Sequence, residues 1–394
     1  MQKSPLPGFL FPFHDFFIMG NVNYARGNAK LIRDQLKRYE GLLHELQLRD
    51  RIKSAEHHFA ADFAFDGFFE PAILQELFFK IILLSKEFEF STFGLGVSWP
   101  LGIDEGEKIH LKRAVQTPLI EKISGELKKQ AEFNSPDIKF LIDFNKKLVL
   151  LRIKPVYIFG RYCKFSREIA QTEYFCNKCR GKGCWYCRGT GHFSEESVEQ
   201  LLGKIIVPHF DSKLLILHGA GREDMDVLML GMGRPFIAEL LMPKKRFAHL
   251  ADVENEINSK FKGLVCVNSM KMCSANDVSL LKNSHHEKIY AALVHADNNI
   301  NYSSILLNQK INVLQSTPTR VANRRADLAR EKEVTILRVG EISKQEFVLI
   351  LRTSHGTYVK EFISGDNGRT SPSISSITGA HCECMLLDVI EVCE

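Results

Sequence analysis

The sequence predicts an α+β fold in which a mostly antiparallel, mixed sheet is flanked by helices. Three observations lead to this prediction. Segments with apolar residues at helical spacing alternate with short strand-like runs. After residue 196, many strand-like runs are joined by turns, which favours an antiparallel sheet over a doubly wound βαβ fold. Between the two regions, residues 176–192 are rich in cysteine and glycine and have no periodicity, which predicts a small separate insert.

The first region is predicted to contain two helices and two strands. Residues 69–84 and 118–132 have apolar residues three and four apart, the second with a polar outer face. Residues 138–144 and 148–154 are typical of strands. We therefore expect an α+β domain over residues 1–170.

The last region, residues 196–394, is predicted to begin with a helix and to continue as a sheet. Further helical patterns lie near residues 248–260 and 275–284. A chain of 394 residues suits two or three domains, and we place the cysteine-rich insert between them at residues 171–195. The predicted strands are 214–218, 225–230, 234–242, 289–295, 333–339 and 346–353.

The composition is that of a soluble globular protein, with 45% hydrophobic and 25% charged residues. The net charge is only +5, so any surface for nucleic acid must come from local clustering of Lys and Arg. No run of 18 apolar residues occurs, so no transmembrane helix is predicted. The cysteine distribution suits a reducing, intracellular compartment, nucleus or cytoplasm. No Gly-rich nucleotide loop follows a strand, so no organic cofactor is expected.

Four cysteines form two C-x-x-C pairs, Cys176 with Cys179 and Cys184 with Cys187. Four thiolates at such spacing predict a tetrahedral zinc site. The linker between the pairs is short, so redox pairs or a loop without metal are alternatives. Since sulfur would fill every coordination position, the zinc would be structural and not catalytic.

Basic and aromatic residues surround these cysteines. Such a mixture is suited to phosphates and stacked bases, and a solvated metal loop is an equally good interpretation. The residues are Arg180, Lys182, Trp185, Tyr186 and Arg188.

The segment 219–236, GAGREDMDVLMLGMGRPF, carries the candidate catalytic residue. Gly219 and Gly221 allow a tight turn. Asp224 follows, just before a predicted strand, where a carboxylate is well placed for covalent or acid–base chemistry. Without further information an exposed acidic turn is the more frequent meaning of such a pattern.

Four blocks in order along residues 160–369 resemble a known family. They are GRYCKFSREIAQT, GREDMDVLMLGMGRPF, QSTPTRVANRR and GTYVKEFISGDNGR. As a set they resemble the tRNA pseudouridine synthases known as pseudouridine synthase ten. The first domain, with FSTFGLGVSWP and IKPVYIFGRY, resembles the THUMP-containing RNA-binding domain of that family.

The resemblance implies an isomerase that converts uridine to pseudouridine in tRNA, in the T-loop at position 54, 55 or both. Asp224 would be the catalytic carboxylate, and Asp226 would point elsewhere. The uracil would have to leave the base stack, turn over and rejoin the sugar through C5. No organic cofactor is needed for an isomerisation.

Two further catalytic residues follow from the resemblance. Tyr290 would stack on the uracil, although a packed strand tyrosine is the ordinary meaning of its sequence context. Lys360 would pair with Asp224 and keep it ionised, whereas by itself it resembles a surface lysine at a helix start.

Several residues are implied in substrate binding. Arg222 would fill the gap left by the flipped base, or contact a phosphate. The basic cluster of Arg320, Arg324 and Arg325, with Arg330 beyond it, would contact phosphates. The alternative is a solvated turn. The predicted substrate-binding residues are Arg222, Arg234, Arg320, Arg324, Arg325 and Tyr358.

The chain departs from the family pattern at three positions. Ser316 and Asn323 stand where the family commonly has Lys and His, and Leu228 where it has a basic residue. We expect altered RNA contacts at these positions. A non-catalytic RNA-binding or RNA-folding factor on the same scaffold is the alternative function. An RNA methyltransferase is disfavoured because the Gly-rich loop is lacking.

Overall fold

The computed structural model describes residues 71–99, 102–173, 175–176, 178–192, 194, 196–322 and 326–393. Arg324, Arg325 and Asn323 lie outside the described residues, as do residues 1–70 of the predicted first domain. Within the described ranges, no helix is both long and apolar enough to cross a membrane.

The first body contains three helices and a sheet in its described part. The sheet has the order β2-β1-β3-β4, with β1 parallel to β2 and β3, and β4 antiparallel to β3. A π-helical turn, Lys112–Gln116, joins the second helix to the third. The elements are α1 (Pro71–Ser85), β1 (Thr92–Ser98), α2 (Glu105–Leu111), α3 (Thr117–Leu127), β2 (Gln130–Ala131), β3 (Ile138–Asp143) and β4 (Leu148–Ile153).

The two strands and the first helix predicted for this body are confirmed, whereas the helix predicted over residues 118–132 ends at Leu127, where Lys128 adopts a left-handed conformation, and Gln130–Ala131 form β2. The helix predicted at 69–84 is α1, and its apolar positions Leu74, Leu77 and Ile81 are fully buried. They pack with Phe93 and Phe140 of the sheet, so the helical spacing did identify the buried face.

The second body is built on a large mixed sheet, of ten strands among the described residues. The order is β13-β10-β11-β12-β9-β14-β7-β5-β8, with β6 paired to β7, and only the β14–β7 pair is parallel. The strands are β5 (Val156–Lys164), β6 (Leu214–Gly219), β7 (Leu228–Leu241), β8 (Val265–Cys273), β9 (Lys288–Ala296), β10 (Lys310–Gln315), β11 (Arg330–Glu341), β12 (Glu346–Thr353), β13 (Thr370–Ser371) and β14 (Cys382–Val392).

Helices flank this sheet, as expected for the predicted α+β class. The first of them buries Leu202 and Ile206 completely, and Ser197 caps it by accepting a hydrogen bond from Gln200 N at 3.2 Å. The helices are α4 (Val198–Phe210), α5 (Leu250–Lys260), α6 (Ala275–Asn283), α7 (Val359–Ser364) and α8 (Ile374–Thr378).

Strand β5 belongs to the large sheet. Its Ile158 is in register with Ala238 of β7 on one side and with Met272 of β8 on the other. The boundary expected near residue 170 would have left this strand with the first body. We therefore propose a boundary between β4 and β5, at residues 154–155.

Strand β7 changes its neighbour along one edge. Beyond Phe236 it pairs with β6, whereas at Leu228–Met229 it pairs with β14, in both cases on the edge away from β5. The loop 220–227 connects the end of β6 to the start of β7. It therefore lies where the sheet edge opens between β6 and β14, and it carries Asp224.

Candidate functional site

The loop 220–227 is held in place by charged side chains from neighbouring elements. Lys164 is fully buried, and its Nζ donates to the carbonyl oxygens of Ile169 at 3.0 Å and Met225 at 2.6 Å. Arg167 Nη1 donates to the carbonyl oxygen of Asp226 at 2.7 Å. Burial lowers the pKa of Lys164 to about 8. The contact that fixes the loop is therefore made at the cost of removing the lysine ammonium from water.

Glu223 anchors the loop through its buried carboxylate. Tyr162 Oη donates to Glu223 Oε1 at 2.8 Å, and Arg234 Nε forms an ion pair with Glu223 Oε2 at 2.8 Å. Gln171 Nε2 donates to Tyr162 Oη at 2.8 Å and to the carbonyl oxygen of Gly221 at 3.0 Å. Glu223 thus points inward, and its neighbour Asp224 points outward with its side chain 47% exposed.

Arg234, predicted to bind substrate, lies beneath this loop with a side chain 1% exposed. Its Nη1 donates to the carbonyl oxygen of Ala220 at 2.7 Å. These contacts fit a role in positioning the loop better than direct contact with a substrate.

Asp224 lies between two cationic groups. Arg320 Nη1 is 2.9 Å and Lys360 Nζ is 3.8 Å from Asp224 Oδ2. Asp224 therefore has a cationic partner on two sides. The structure therefore brings the predicted Asp224 and Lys360 together, and it adds Arg320, which was predicted only as a phosphate contact.

Asp226 lies in the same charged group. Its Oδ2 is 2.7 Å from Lys360 Nζ, closer than Asp224. Burial alone would raise the pKa of Asp226, but the hydrogen bond and charge of Lys360 outweigh it and lower the pKa. The expectation that Asp226 points elsewhere is therefore wrong.

Glu361 is a site residue that the sequence reasoning missed. Its Oε1 accepts a hydrogen bond from Arg320 Nε at 2.6 Å, and its side chain is 7% exposed. Arg320 therefore bridges a buried and an exposed carboxylate. The signal in the sequence was an acidic residue directly after Lys360, in the first turn of α7.

Tyr290 lies on β9, partly buried and packed against the core of the large sheet. Burial raises the pKa of Tyr290; the charge of Arg234 opposes this rise, and those of Glu223 and Asp224 add to it. The phenol therefore stays neutral. The contact that the structure shows among the three predicted catalytic residues is that of Asp224 with Lys360.

Two other predicted residues lie at the edge of this site. Arg222 is exposed on the loop, next to Glu223. Tyr358 is half-buried, and its main chain is held by Gln315, whose Nε2 donates to Tyr358 O at 2.9 Å and whose Oε1 accepts from Tyr358 N at 2.7 Å. Gln315 is buried and so fixes the start of α7, where Lys360 and Glu361 follow.

The four cysteines of the insert form one cluster. Their sulfur atoms all lie within 4.8 Å of one another. Cys176 Sγ is 3.8 Å from Cys184 Sγ, and Cys179 Sγ is 3.7 Å from Cys187 Sγ. Tetrahedral zinc with Zn–S bonds of about 2.3 Å requires sulfur atoms about 3.8 Å apart. The cluster therefore fits a single metal ion of that geometry.

Backbone amides support thiolate ligands in this cluster. Cys184 N and Gly191 N each donate to Cys187 Sγ at 3.2 Å. Burial would raise the pKa of Cys187, but these hydrogen bonds outweigh it and lower the pKa to about 6. Amide donors to the sulfur are the kind of supporting contact that metal-bound thiolates receive.

An aromatic surface adjoins the cluster. The Trp185 side chain is 80% exposed and meets Tyr186 edge-on, with ring centroids 5.8 Å apart. Lys178 Nζ lies 4.4 Å from the Trp185 ring centroid and 4.3 Å from that of Tyr186. The insert therefore presents exposed aromatic faces next to a cation.

Comparison with known proteins decides the family. Residues 157–393 match the family model described as "Pus10, C-terminal". This chain belongs to the Pus10 family. The predicted family is therefore confirmed, and with it the enzyme class, an isomerase.

Curated members of the Pus10 family are similar over most of their length. "tRNA pseudouridine synthase Pus10" of Korarchaeum cryptofilum is 37% identical, with 77% of this chain and 86% of the relative covered. The proteins of the same name from Methanocaldococcus jannaschii and Archaeoglobus fulgidus are 37% and 36% identical, over 83% and 81% of this chain and 74% and 92% of the relatives.

Among solved structures, one titled "Crystal structure of the archaeal box H/ACA sRNP Nop10-Cbf5 complex" is similar at 12% identity and a TM-score of 0.26. It covers 50% of this chain and 44% of that one. A TM-score this low supports no conclusion about the Pus10 chain.

Proposed function

We propose that this chain converts uridine to pseudouridine in the T-loop of tRNA, at position 54, 55 or both, with Asp224 as the catalytic carboxylate. The observation that carries the proposal is the exposed Asp224 carboxylate, held between Arg320 and Lys360. Membership of the Pus10 family supports tRNA as the substrate class.

The proposed reaction breaks the N1–C1′ bond of uridine and forms a C5–C1′ bond. An ionised Asp224 can act at C1′ as a nucleophile, or it can take a proton from C2′; both remain open. No atoms are gained or lost overall, so no organic cofactor is needed. The residues of the chain have to bind the RNA, hold the free uracil and move protons.

Each neighbour of Asp224 has a proposed role. Lys360 and Arg320 pair with the carboxylate and fix its direction. Tyr290 stacks on the uracil after it leaves the helix, and Arg222 fills the gap that the base leaves. The neutral phenol of Tyr290 suits a face for an uncharged base, since its pKa is raised by burial.

RNA binding is proposed for the parts of the chain around this site. We propose that the first body is a THUMP-like RNA-binding domain and that Arg324 and Arg325, with Arg320, contact phosphates. The cysteine cluster would hold structural zinc and would present Trp185 to the RNA. A reducing, intracellular location, nucleus or cytoplasm, follows from the free thiols that zinc requires.

The alternative is an RNA-binding or RNA-folding factor without catalysis. The pairing of an exposed Asp224 with Lys360 argues against it, because binding alone requires no exposed carboxylate beside RNA. A carboxylate repels phosphates and would weaken a surface used only for affinity.

Incubation of the protein with unmodified tRNA transcripts, followed by site-resolved mapping of pseudouridine, tests the proposal. We expect product at position 54, 55 or both. Asp224→Asn should lower the rate by about 10²–10⁴-fold. Asp252→Asn, at an exposed aspartate on α5, is the matched control, and we expect it to retain activity. Equal product from the wild type and Asp224→Asn would refute the proposed role of Asp224.

A further inference from the structure

A group of cationic side chains lies at one end of the large sheet, next to the loop that carries Asp224. We name it the cationic cluster; two histidines precede β9, Lys288 begins it, Lys332 lies on β11 and His355 follows β12. The cluster consists of His285, His286, Lys288, Lys332 and His355.

Direct contacts hold these groups together. Lys332 Nζ donates to the carbonyl oxygen of His355 at 2.7 Å, and Lys288 Nζ donates to that of His286 at 3.2 Å. The rings of His285 and His355 lie 5.0 Å apart, tilted by 35°. Three neighbouring strands, β9, β11 and β12, thus contribute basic groups to one small region.

No carboxylate balances the two lysine ammonium groups of the cluster within the part of the chain that the structure describes. The ion pairs there include neither Lys288 nor Lys332, although the Lys288 side chain is buried. Buried His355 Nδ1 has no hydrogen-bond partner there. A buried ammonium without a counter-charge is costly, so this arrangement is expected where a ligand supplies the negative charge.

The charges of the cluster also act on one another. Burial and the charges of Arg234 and Lys332 lower the pKa of Lys288, to about 8. Burial lowers the pKa of His355, and the charges of Lys288, His285, Lys332 and His286 add to this effect. Cys393 could oppose this as a thiolate, but burial raises its pKa and keeps it neutral.

Lys288 brings the cluster to the loop of the candidate active site. Lys288 and Tyr290 are two residues apart on β9, so their side chains leave the same face of the strand. A Cβ on Gly221, three residues before Asp224, would lie 3.8 Å from Lys288 Cε and 3.2 Å from Arg234 Nη1. Gly221 is exposed and has no side chain, so only a short distance separates the Lys288 ammonium from solvent at this point.

We propose that the cationic cluster is a phosphate-binding pocket. Given the proposed function, on which this part rests, it takes a backbone phosphate of the tRNA beside the target uridine. The two lysine ammonium groups and the unpartnered His355 Nδ1 can donate to a tetrahedral anion, whereas His285 and His286 each use Nδ1 on a main-chain carbonyl oxygen. The pocket and the Arg320 side of the site would then hold the RNA on both sides of the flipped nucleotide.

The affinity of the full chain for tRNA and its dependence on salt test this pocket. Lys332→Gln and Lys288→Met should each weaken tRNA binding about tenfold. Each should also reduce the slope of log affinity against log salt by about 0.7–0.9, the value for one lost phosphate contact. The matched control is Lys310→Gln on β10, an exposed lysine paired with Glu333 at 3.0 Å, which should change neither quantity.

A direct measurement uses tRNA in which one phosphate near the target uridine is replaced by a neutral methylphosphonate. The wild type should lose about tenfold affinity at one such position, and Lys332→Gln should lose nothing further there. Unchanged affinity and salt slope in both lysine variants, with melting temperatures showing that they fold, would overturn the pocket. The pocket would also be overturned if Lys332→Gln lost the same additional affinity for tRNA at every methylphosphonate position.

Pseudouridine formation measured in the same samples separates this inference from the proposed function. If the wild type forms pseudouridine and the two lysine variants bind tRNA as tightly as the wild type does, the pocket alone is overturned. A position-specific phosphate effect without any product would support the pocket as an RNA contact and overturn the proposed catalytic function.

Discussion

Arg320 Nη1 lies 2.9 Å from Asp224 Oδ2, so the exposed carboxylate of the site is paired with an arginine as well as a lysine. The same guanidinium donates to the buried Glu361. Burial would lower the pKa of Arg320, but Glu361 and Asp224 outweigh it and raise the pKa. Arg320 is thus permanently charged, and its side chain links α7 to the loop of Asp224.

Removal of Arg320 is expected to destabilise the protein because it leaves the Glu361 carboxylate buried without a partner. Arg320→Gln should lower the free energy of unfolding by about 2 kcal/mol. The double variant Arg320→Gln, Glu361→Gln should recover most of this loss, since no buried charge remains. Urea unfolding of the two single variants and the double variant measures the coupling. A double variant no more stable than Arg320→Gln would show that Glu361 does not depend on this pairing.

The buried ammonium of Lys288 should make stability depend on pH. Its pKa is about 8 in the folded chain and 10.5 in its ordinary state, so between these values the unfolded chain binds more protons. Stability therefore rises with pH across this window, by at most about 1.4 kcal/mol per pH unit for one group. The cost of the buried charge is fully present below pH 8.

Lys288→Met should remove that contribution. We expect the variant to be at least as stable as the wild type at pH 7, and the stability difference between them to shrink as pH rises from 8 to 10. Chemical unfolding at pH 7, 8, 9 and 10 measures this difference, in which other titrating groups cancel. A difference that stays constant with pH would mean that Lys288 is not desolvated as the structure has it.

The cysteine cluster should hold about one zinc ion per chain. Cys184→Ser should lose most of the metal, because the 3.8 Å spacings of its sulfur to those of Cys176 and Cys187 belong to one tetrahedron. Cys266→Ser, outside the cluster, is the control and should retain the ion. Elemental analysis after growth with sufficient zinc gives the ratio. A folded wild type without metal would contradict the assignment.

The exposed ring of Trp185 should contribute to RNA affinity. Trp185→Ala should weaken tRNA binding by about 1–3 kcal/mol, the usual effect of losing one stacked base. Phe247→Ala is the matched control, since Phe247 is also exposed and lies outside the insert in the sequence. Filter binding at one fixed salt concentration compares them. Equal affinities of the two variants would argue for a solvated metal loop, the alternative that the sequence left open.

Most regular elements were predictable from periodicity, and the failures have local causes. Residues 225–230 and 234–242 were predicted as two strands, but they contribute to a single strand, Leu228–Leu241. Gly231 and Gly233 suggest the end of a strand when only the sequence is considered. In the structure both have positive φ and accommodate an irregular pairing of β7 with β5. Met225 lies in the loop because Lys164 binds its carbonyl oxygen, a contact that no local pattern reveals.

The site was predictable where motif residues act directly, and less so where they act through partners. Asp224 and Lys360 meet as expected, although their catalytic roles stay predictions. The contact of Arg320 with Asp224 joins residues 96 positions apart, so neighbouring letters give no sign of it. Seven strands of the described residues were not predicted either, and one of them, β14, determines where the sheet opens beside the loop. The seven are β1, β2, β5, β8, β10, β13 and β14.

The interior position of β5 limits how the chain can be divided. This strand has β7 on one side and β8 on the other, so it cannot be omitted without exposing two rows of unpaired backbone amides and carbonyls. A truncated catalytic fragment must therefore start no later than Pro155. A fragment that started after residue 170 would keep the whole loop 220–227 but would lack β5. We expect such a fragment to aggregate.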